Sequence, residues 1–227
     1  MDLKFKKFPL SPAALYIALD RYDNAALEKS LAMGGKVQYA DKFGNTPLHL
    51  ATSATVAMFV PALLKLGADP NAISTTTGSP LAVLTSRYFK SEDMRLLVQA
   101  TKALLKYGAQ VDVPDPDGMT PLMHAARRGY TQVAKLLITA GSDVNARDKR
   151  AGLTVLMYAQ SPRMVKFVLE HGADPSQRNK SKQTAAEYFK DEGDNNLARA
   201  IEAHGAKSTR PAAKPAKKAK TANKKSK

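Results

Sequence analysis

Asn45-Thr46-Pro47-Leu48-His49-Leu50-Ala51 returns along the chain as Ser79-Pro80-Leu81-Ala82-Val83-Leu84, as Met119-Thr120-Pro121-Leu122-Met123-His124-Ala125-Ala126 and, more loosely, as Leu153-Thr154-Val155-Leu156-Met157-Tyr158-Ala159. A second marker follows each copy in phase. Leu64-Lys65-Leu66-Gly67-Ala68-Asp69-Pro70-Asn71-Ala72 is echoed by Leu105-Lys106-Tyr107-Gly108-Ala109-Gln110-Val111-Asp112, by Ile138-Thr139-Ala140-Gly141-Ser142-Asp143-Val144-Asn145-Ala146 and by Leu169-Glu170-His171-Gly172-Ala173-Asp174-Pro175. From Thr46 through Ser79, Thr120, Thr154 and Thr184 the steps are 33, 41, 34 and 30 residues. A recurrence of this length marks one supersecondary unit stacked on copies of itself.

Each residue type in the unit has a physical task. Thr or Ser before Pro caps a helix, Pro occupies the first helical position where no amide bond is lost, and the following Leu and Ala fill a narrow buried face. Gly in the second marker supplies a left-handed residue that stops the second helix. The pattern predicts turn, helix, loop, helix.

These residues resemble the ankyrin-repeat family. The resemblance implies an all-α repeat solenoid of about six units, each a helix-loop-helix with a β-hairpin or turn. Four clear units are expected at 41–73, 74–114, 115–147 and 148–178, with degenerate caps at 11–40 and 179–206 whose polar outer faces meet water. Residues 1–10 form an N-terminal extension and 207–227 a tail. The basic start Lys4, Lys6, Lys7 followed by a short apolar run superficially resembles a signal peptide. Its two prolines, and Asp20-Arg21 where a small-residue cleavage site belongs, favour a repeat helix and a cytoplasmic protein.

Departures from the repeat mark what is individual. Pro80 to Gly108 is 28 steps where Pro47 to Gly67 and Pro121 to Gly141 are 20, so the third unit carries eight extra residues around Arg87-Tyr88-Phe89-Lys90-Ser91-Glu92-Asp93-Met94. Ser91 is expected to cap a long helix from about Glu92 to Tyr107, with Leu96, Leu97, Ala100, Ala103, Leu104 and Tyr107 on its apolar face. Tyr88 and Phe89 beside Arg87 read either as a protruding binding knob or as aromatics folded back over that helix. The fifth unit is three residues short, with Ser161-Pro162 in place of its loop.

Catalytic chemistry finds little support. There is no Cys, which removes disulfides and thiolate sites. Neither His-x-x-x-His, Gly-x-Gly-x-x-Gly, a phosphate-binding Gly-Lys-Ser/Thr loop nor Gly-x-Ser-x-Gly occurs, so neither metal nor cofactor is expected. The resemblance places His49 and His124 at the histidine of the Thr-Pro-Leu-His motif, bonding backbone near the hairpins. His171 and His204 precede Gly-Ala at second-helix ends, where a cation suits the helix dipole. No run of apolar residues reaches the ~18 needed to span a bilayer.

The resemblance implies a non-enzymatic, monomeric protein-binding module, an adaptor or inhibitor, acting through a concave face of hairpin tips and first helices. Candidate contacts there are Lys42, Phe43, Asn45, Pro116, Asp117, Met119, Arg150 and Leu153 on the tips. Ser53, Arg87, Arg127 and Arg128 lie on the first helices, and Tyr88 and Phe89 on the insertion. Phe43 and Met119 are read as exposed apolar anchors and Arg127-Arg128 as a match for an acidic partner. A bacterial immunity protein or antitoxin, and a secreted effector acting on host proteins, fit the same module.

The net charge of +15 is concentrated, since nine of the 35 Lys and Arg and none of the 20 acids lie in 207–227, leaving +6 for residues 1–206. That tail, without aromatics, is predicted to be disordered. Lys214, Lys217, Lys218, Lys220, Lys224 and Lys225 would bind nucleic acid or another polyanion non-specifically, or serve localisation or solubility. The rival functional reading is accordingly a nucleic-acid-associated protein tethered by its tail.

Overall fold

The computed structural model describes residues 37–52 and 56–205, with Ala18, Leu19, Ala25 and Lys29 before them. The extension 1–10, Ser53 and the tail, including Lys214, Lys217, Lys218, Lys220, Lys224 and Lys225, lie outside the described residues. The first helices of successive units are α1 (Pro47–Leu50), α3 (Pro80–Ser86), α5 (Pro121–Arg128), a single 3-10 turn (Leu156–Tyr158) and α8 (Ala185–Asp191). Second helices are α2 (Val60–Lys65), α4 (Met94–Lys106), α6 (Thr131–Thr139), α7 (Pro162–Glu170) and α9 (Asn195–Gly205). Each first helix packs on its own second helix and on the first helix of the next unit, giving two helical layers.

Local chemistry sets these elements. Ser79 Oγ accepts from Ala82 N–H at 3.3 Å, Thr120 Oγ1 from Met123 N–H at 3.4 Å and Thr184 Oγ1 from Glu187 N–H at 3.3 Å, so each caps the helix that follows. Between the layers Leu48, Leu63, Leu81, Leu97, Leu122, Met123, Leu137, Leu156 and Val168 belong to one continuous buried core. A terminal unit is thus held by one neighbour and a central unit by two.

The turns at the unit starts are closed by backbone bonds from Asp41 N–H to Asn45 O at 3.0 Å, Asp115 to Met119 at 2.9 Å, Asp148 to Leu153 at 3.0 Å and Asn179 to Gln183 at 2.9 Å. Among the described residues two isolated antiparallel bridges, Ser74 with Gly78 and Arg147 with Thr154, stand in place of extended strands. Gly118 shows why a small left-handed residue is needed there. Its φ is 83°, and a Cβ would meet the backbone N of Lys149 at 2.7 Å, so the tip of the next unit could not pack against it.

Two expectations about the third unit change. Ser91 does not cap α4. It opens a 3-10 turn, Ser91–Asp93, and the helix starts at Met94 with no side-chain cap. Tyr107 is exposed rather than on the apolar face, because α4 ends at Lys106 and the chain has turned away. In the fifth unit the first helix shrinks to the 3-10 turn. Pro162 restricts the residue before it to extended geometry, and Ser161 caps α7 by accepting from Met164 N–H at 3.2 Å.

Candidate functional site

The turn tips stand side by side. Thr75 N–H donates to Phe43 O at 2.9 Å and Lys180 N–H to Ala151 O at 2.9 Å, tying neighbouring tips together. Pro116 holds the matching place in the fourth unit and has no N–H to give. There a cleft of about 370 Å³ opens, lined by Thr76, Thr77, Val83, Ser86, Arg87, Asp115, Pro116 and Asp117.

At the far end of α3 the eight-residue insertion is held from the next unit. Tyr130 Oη accepts from Phe89 N–H at 2.8 Å and donates to Arg87 O at 3.0 Å. Arg128 reaches Ser86 O with Nε at 3.2 Å and an Nη at 2.9 Å. Phe89 folds into the core, 3% exposed, while Tyr88 is 69% exposed. The two aromatics divide the roles the sequence left open: Phe89 covers the longer helix and Tyr88 is displayed. Phe89 is therefore not a surface contact.

Other candidates fall out unevenly. Lys42 and Phe43 are exposed on their tip, with Lys42 Nζ 4.9 Å from the centroid of the Phe43 ring. Pro116, Asp117 and Arg150 are exposed, and Arg150 meets Asp117 at 3.4 Å. Asn45 and Leu153 are half-buried, Asn45 donating its side-chain amide to Asp41 at 2.9 Å. Met119 is 6% exposed, which corrects its reading as an exposed anchor. It immediately precedes the capping Thr120, and an apolar residue there packs inward against the helix it introduces. Arg128 is exposed and donates to Ser86 O, and Arg127 is half-buried.

The histidines also separate. His49 Nδ1 accepts from Thr46 N–H at 3.0 Å, which leaves Nε2 as the donor to Gly78 O at 3.0 Å. Burial lowers its pKa below the ordinary value, outweighing the Gly78 carbonyl and nearby carboxylates. His124 does not sit at the motif histidine, as the sequence reading had it; Met123 does. One residue is a rotation of about 100° on a helix, and it carries the ring to Asp115 Oδ2, 2.7 Å from Nε2, instead of to backbone. Nδ1 of His124 is buried without a partner. Burial again lowers the pKa, against the pull of Asp115 and with help from Arg127 and Arg128.

Asp148 is likewise structural. Its carboxylate accepts from the N–H groups of Ala151, Gly152 and Leu153 and from Tyr158 Oη at 3.0 Å. Burial opposes ionisation, yet these bonds hold its pKa below the usual carboxylate range. Among the described residues no group of three or more acidic or histidine side chains is arranged for a metal, and no helix is long and apolar enough to cross a membrane.

Sequence reasoning missed Tyr130, the Thr76-Thr77 wall of the cleft, and the cations Lys149, Lys180 and Lys182 on the fifth and sixth tips. Proline at a turn position was the available signal for the cleft. Nothing local signals Tyr130, whose partners lie 41 and 43 residues away.

A two-layered helical-repeat solenoid with a row of turn tips, a cleft and a displayed tyrosine defines the class as a protein-interaction module. Comparison with known proteins names the family. The model of ankyrin repeats (three copies) matches residues 96–179, and that of a single ankyrin repeat matches 43–75. Cyclin-dependent kinase inhibitor 2A of Monodelphis domestica is 30% identical over 143 residues, 63% of this chain and 78% of that protein. The B-cell lymphoma 3 protein homolog of Mus musculus is 28% identical over 167 residues, 70% of this chain but only 36% of its own length. The crystal structure of the ankyrin repeat protein EF0377 superposes with a TM-score of 0.70 at 25% identity, covering 85% of this chain and 98% of that one. The chain belongs to the ankyrin-repeat family.

Proposed function

We propose that this protein is an adaptor or inhibitor that binds a partner protein through the face spanning the third to fifth units, with Tyr88 and Arg87 as anchors beside the Pro116 cleft. The observation that carries this reading is the pinned insertion. A tyrosine 69% exposed is ordinarily a mobile loop residue, but the carbonyls of Ser86 and Arg87 and the N–H of Phe89 on either side are bonded to Arg128 and Tyr130. A rigid aromatic loses little conformational entropy on binding, and aromatic and arginine side chains supply most interface energy. The inhibitor named among the relatives supports the same class of action.

The test is capture from native lysate with full-length protein under moderate salt and nuclease. One protein retained by the parent and lost from the Arg87→Glu/Tyr88→Ala variant is the expected result. Because both side chains are exposed, the variant should keep the parent's thermal midpoint. Equal retention by the folded variant removes this face as the binding site.

A further inference from the structure

Building on that reading of the tip-and-cleft face, we propose that the contacting segment of the partner is acidic and extended, and that it docks on a cationic ridge formed by Lys149, Arg150, Lys180 and Lys182. The four residues lie on the adjoining tips of the fifth and sixth units and all are exposed. They are contiguous in space, since Lys180 Nζ donates to Lys149 O at 2.6 Å and to Arg150 O at 3.0 Å, and Lys180 N–H joins the two tips at Ala151 O.

Their charge is left over after folding. The carboxylates of the same region are spent on the protein itself: Asp148 on three backbone N–H groups and Tyr158, Asp115 on Met119 N–H and His124, Glu187 on Thr184 N–H and Arg178. Among the described residues the ammonium groups of Lys149 and Lys182 have no hydrogen-bond or ion-pair partner. Arg150 has only Asp117, at 3.4 Å with both side chains largely in water, a contact worth at most about 1 kcal/mol. Asp148 and Asp115 are turned into the fold and Glu187 is paired with Arg178, while the four cations face water.

Lys182 adds an independent sign. Its φ is 62°, in the left-handed region, where the turns of the second and fourth units place Gly44 and Gly118. A side chain there costs roughly 1–2 kcal/mol, and such strain is tolerated where a side chain serves a purpose. A lysine at a glycine position makes sense if the charge is used.

The spacing defines the ligand further. Neighbouring units of packed helices are about 8–10 Å apart, and an extended chain in polyproline II geometry advances about 3.1 Å per residue with about three residues per turn, so side chains three apart share a face. Acidic residues three apart would therefore meet successive tips. No exposed aromatic lies on these two tips to stack a base, the exposed Phe and Tyr side chains among the described residues being Phe43, Tyr88 and Tyr107, so the ridge suits carboxylates better than single-stranded nucleic acid.

The probe is a fluorescein-labelled twelve-residue peptide carrying Glu at every third position, titrated into the full-length protein at moderate salt. Lys149→Glu/Lys182→Glu should weaken binding at least tenfold, while the matched tail reversal Lys217→Glu/Lys218→Glu changes it less than threefold. Lys182→Gly, which removes the charge and relieves the backbone, should weaken binding several-fold in a protein of undiminished stability. The idea is overturned by a tip reversal that binds as the parent does, or by a tail reversal that loses as much. It is overturned too by an oligonucleotide of equal charge that binds more tightly through the same lysines. In the lysate capture, a partner lost on Arg87→Glu/Tyr88→Ala but kept by the tip reversal would sink the acidic segment and leave the protein-binding reading standing.

Discussion

The third and fourth units solve the same step in opposite ways. In the fourth, α5 stops at Gly129, a left-handed cap with φ 74°, and α6 begins two residues later, so the connection is held by its own backbone. In the third, the chain leaves α3 in extended geometry at Arg87 and is held instead by Tyr130 and Arg128 of the fourth. A short connection is self-contained and presents nothing. A long one needs outside support, and here that support bonds the backbone on either side of the exposed Tyr88.

The largest contrast should come from the shared core. Leu122→Ala, at a fully buried position of the regular fourth unit, is expected to cost about 2–5 kcal/mol in urea unfolding, whereas Tyr88→Ala in the insertion should move stability by less than about 0.5 kcal/mol. Comparable losses would mean that Tyr88 packs rather than projects.

Next in size is the tie between the two units. Tyr130→Phe leaves the Phe89 N–H and Arg87 carbonyl without their partner and should cost about 1–2 kcal/mol. Amide exchange should quicken at Phe89 and not at Tyr130 or Thr131. Unchanged exchange at Phe89 would show that the insertion holds itself.

A gain is expected where the third unit meets the fourth. Asn71 donates its side-chain amide to Gly108 O at 2.9 Å and accepts from Gln110 N–H, and Asn145 repeats this with Gly172 O and Asp174 N–H. Asp112 takes that place between the third and fourth units. One oxygen accepts from Asp143 N–H at 2.9 Å, and the other is buried without a partner where an amide would donate to a carbonyl. Asp112→Asn should restore the missing bond and stabilise by about 0.5–1.5 kcal/mol; a loss in urea midpoint would refute the register on which the comparison rests.

The last effect is graded with pH. His49 and His124 have pKa values lowered by burial, so in the folded state they resist protonation while the unfolded chain takes up protons near pH 6.5. Their contribution to stability is complete above about pH 6.5 and is lost as pH falls below it toward the depressed folded values. Urea midpoints should therefore drop from pH 7.5 to pH 5, and His124→Gln should flatten part of that slope. A slope untouched by substituting either histidine would assign it elsewhere.

Much of the fold was legible before any coordinates, because it rests on contacts a few residues apart. Thr120 capping the helix that starts at Pro121, Pro121 at the first helical position and glycine where a left-handed turn is required are local matters that recur with the period, so the sequence reading reached the helical-repeat solenoid. The site was legible only in part. Tyr88 and Phe89 are adjacent and similar, yet one is displayed and the other buried. Met119 read as exposed until its place before the cap drew it inward, and His124 was assigned one residue out of register, a rotation large enough to exchange a carbonyl for a carboxylate.

Composition, periodicity and capping chemistry thus suffice for the solenoid, since each unit's backbone is shaped by its own side chains and its stacking by a repeated apolar face. They do not tell which cations remain free or which loop is rigid. Those outcomes depend on partners from neighbouring units, such as Tyr130 for Phe89 and Lys180 for Lys149, that lie about one repeat away in sequence and become neighbours only when the units stack.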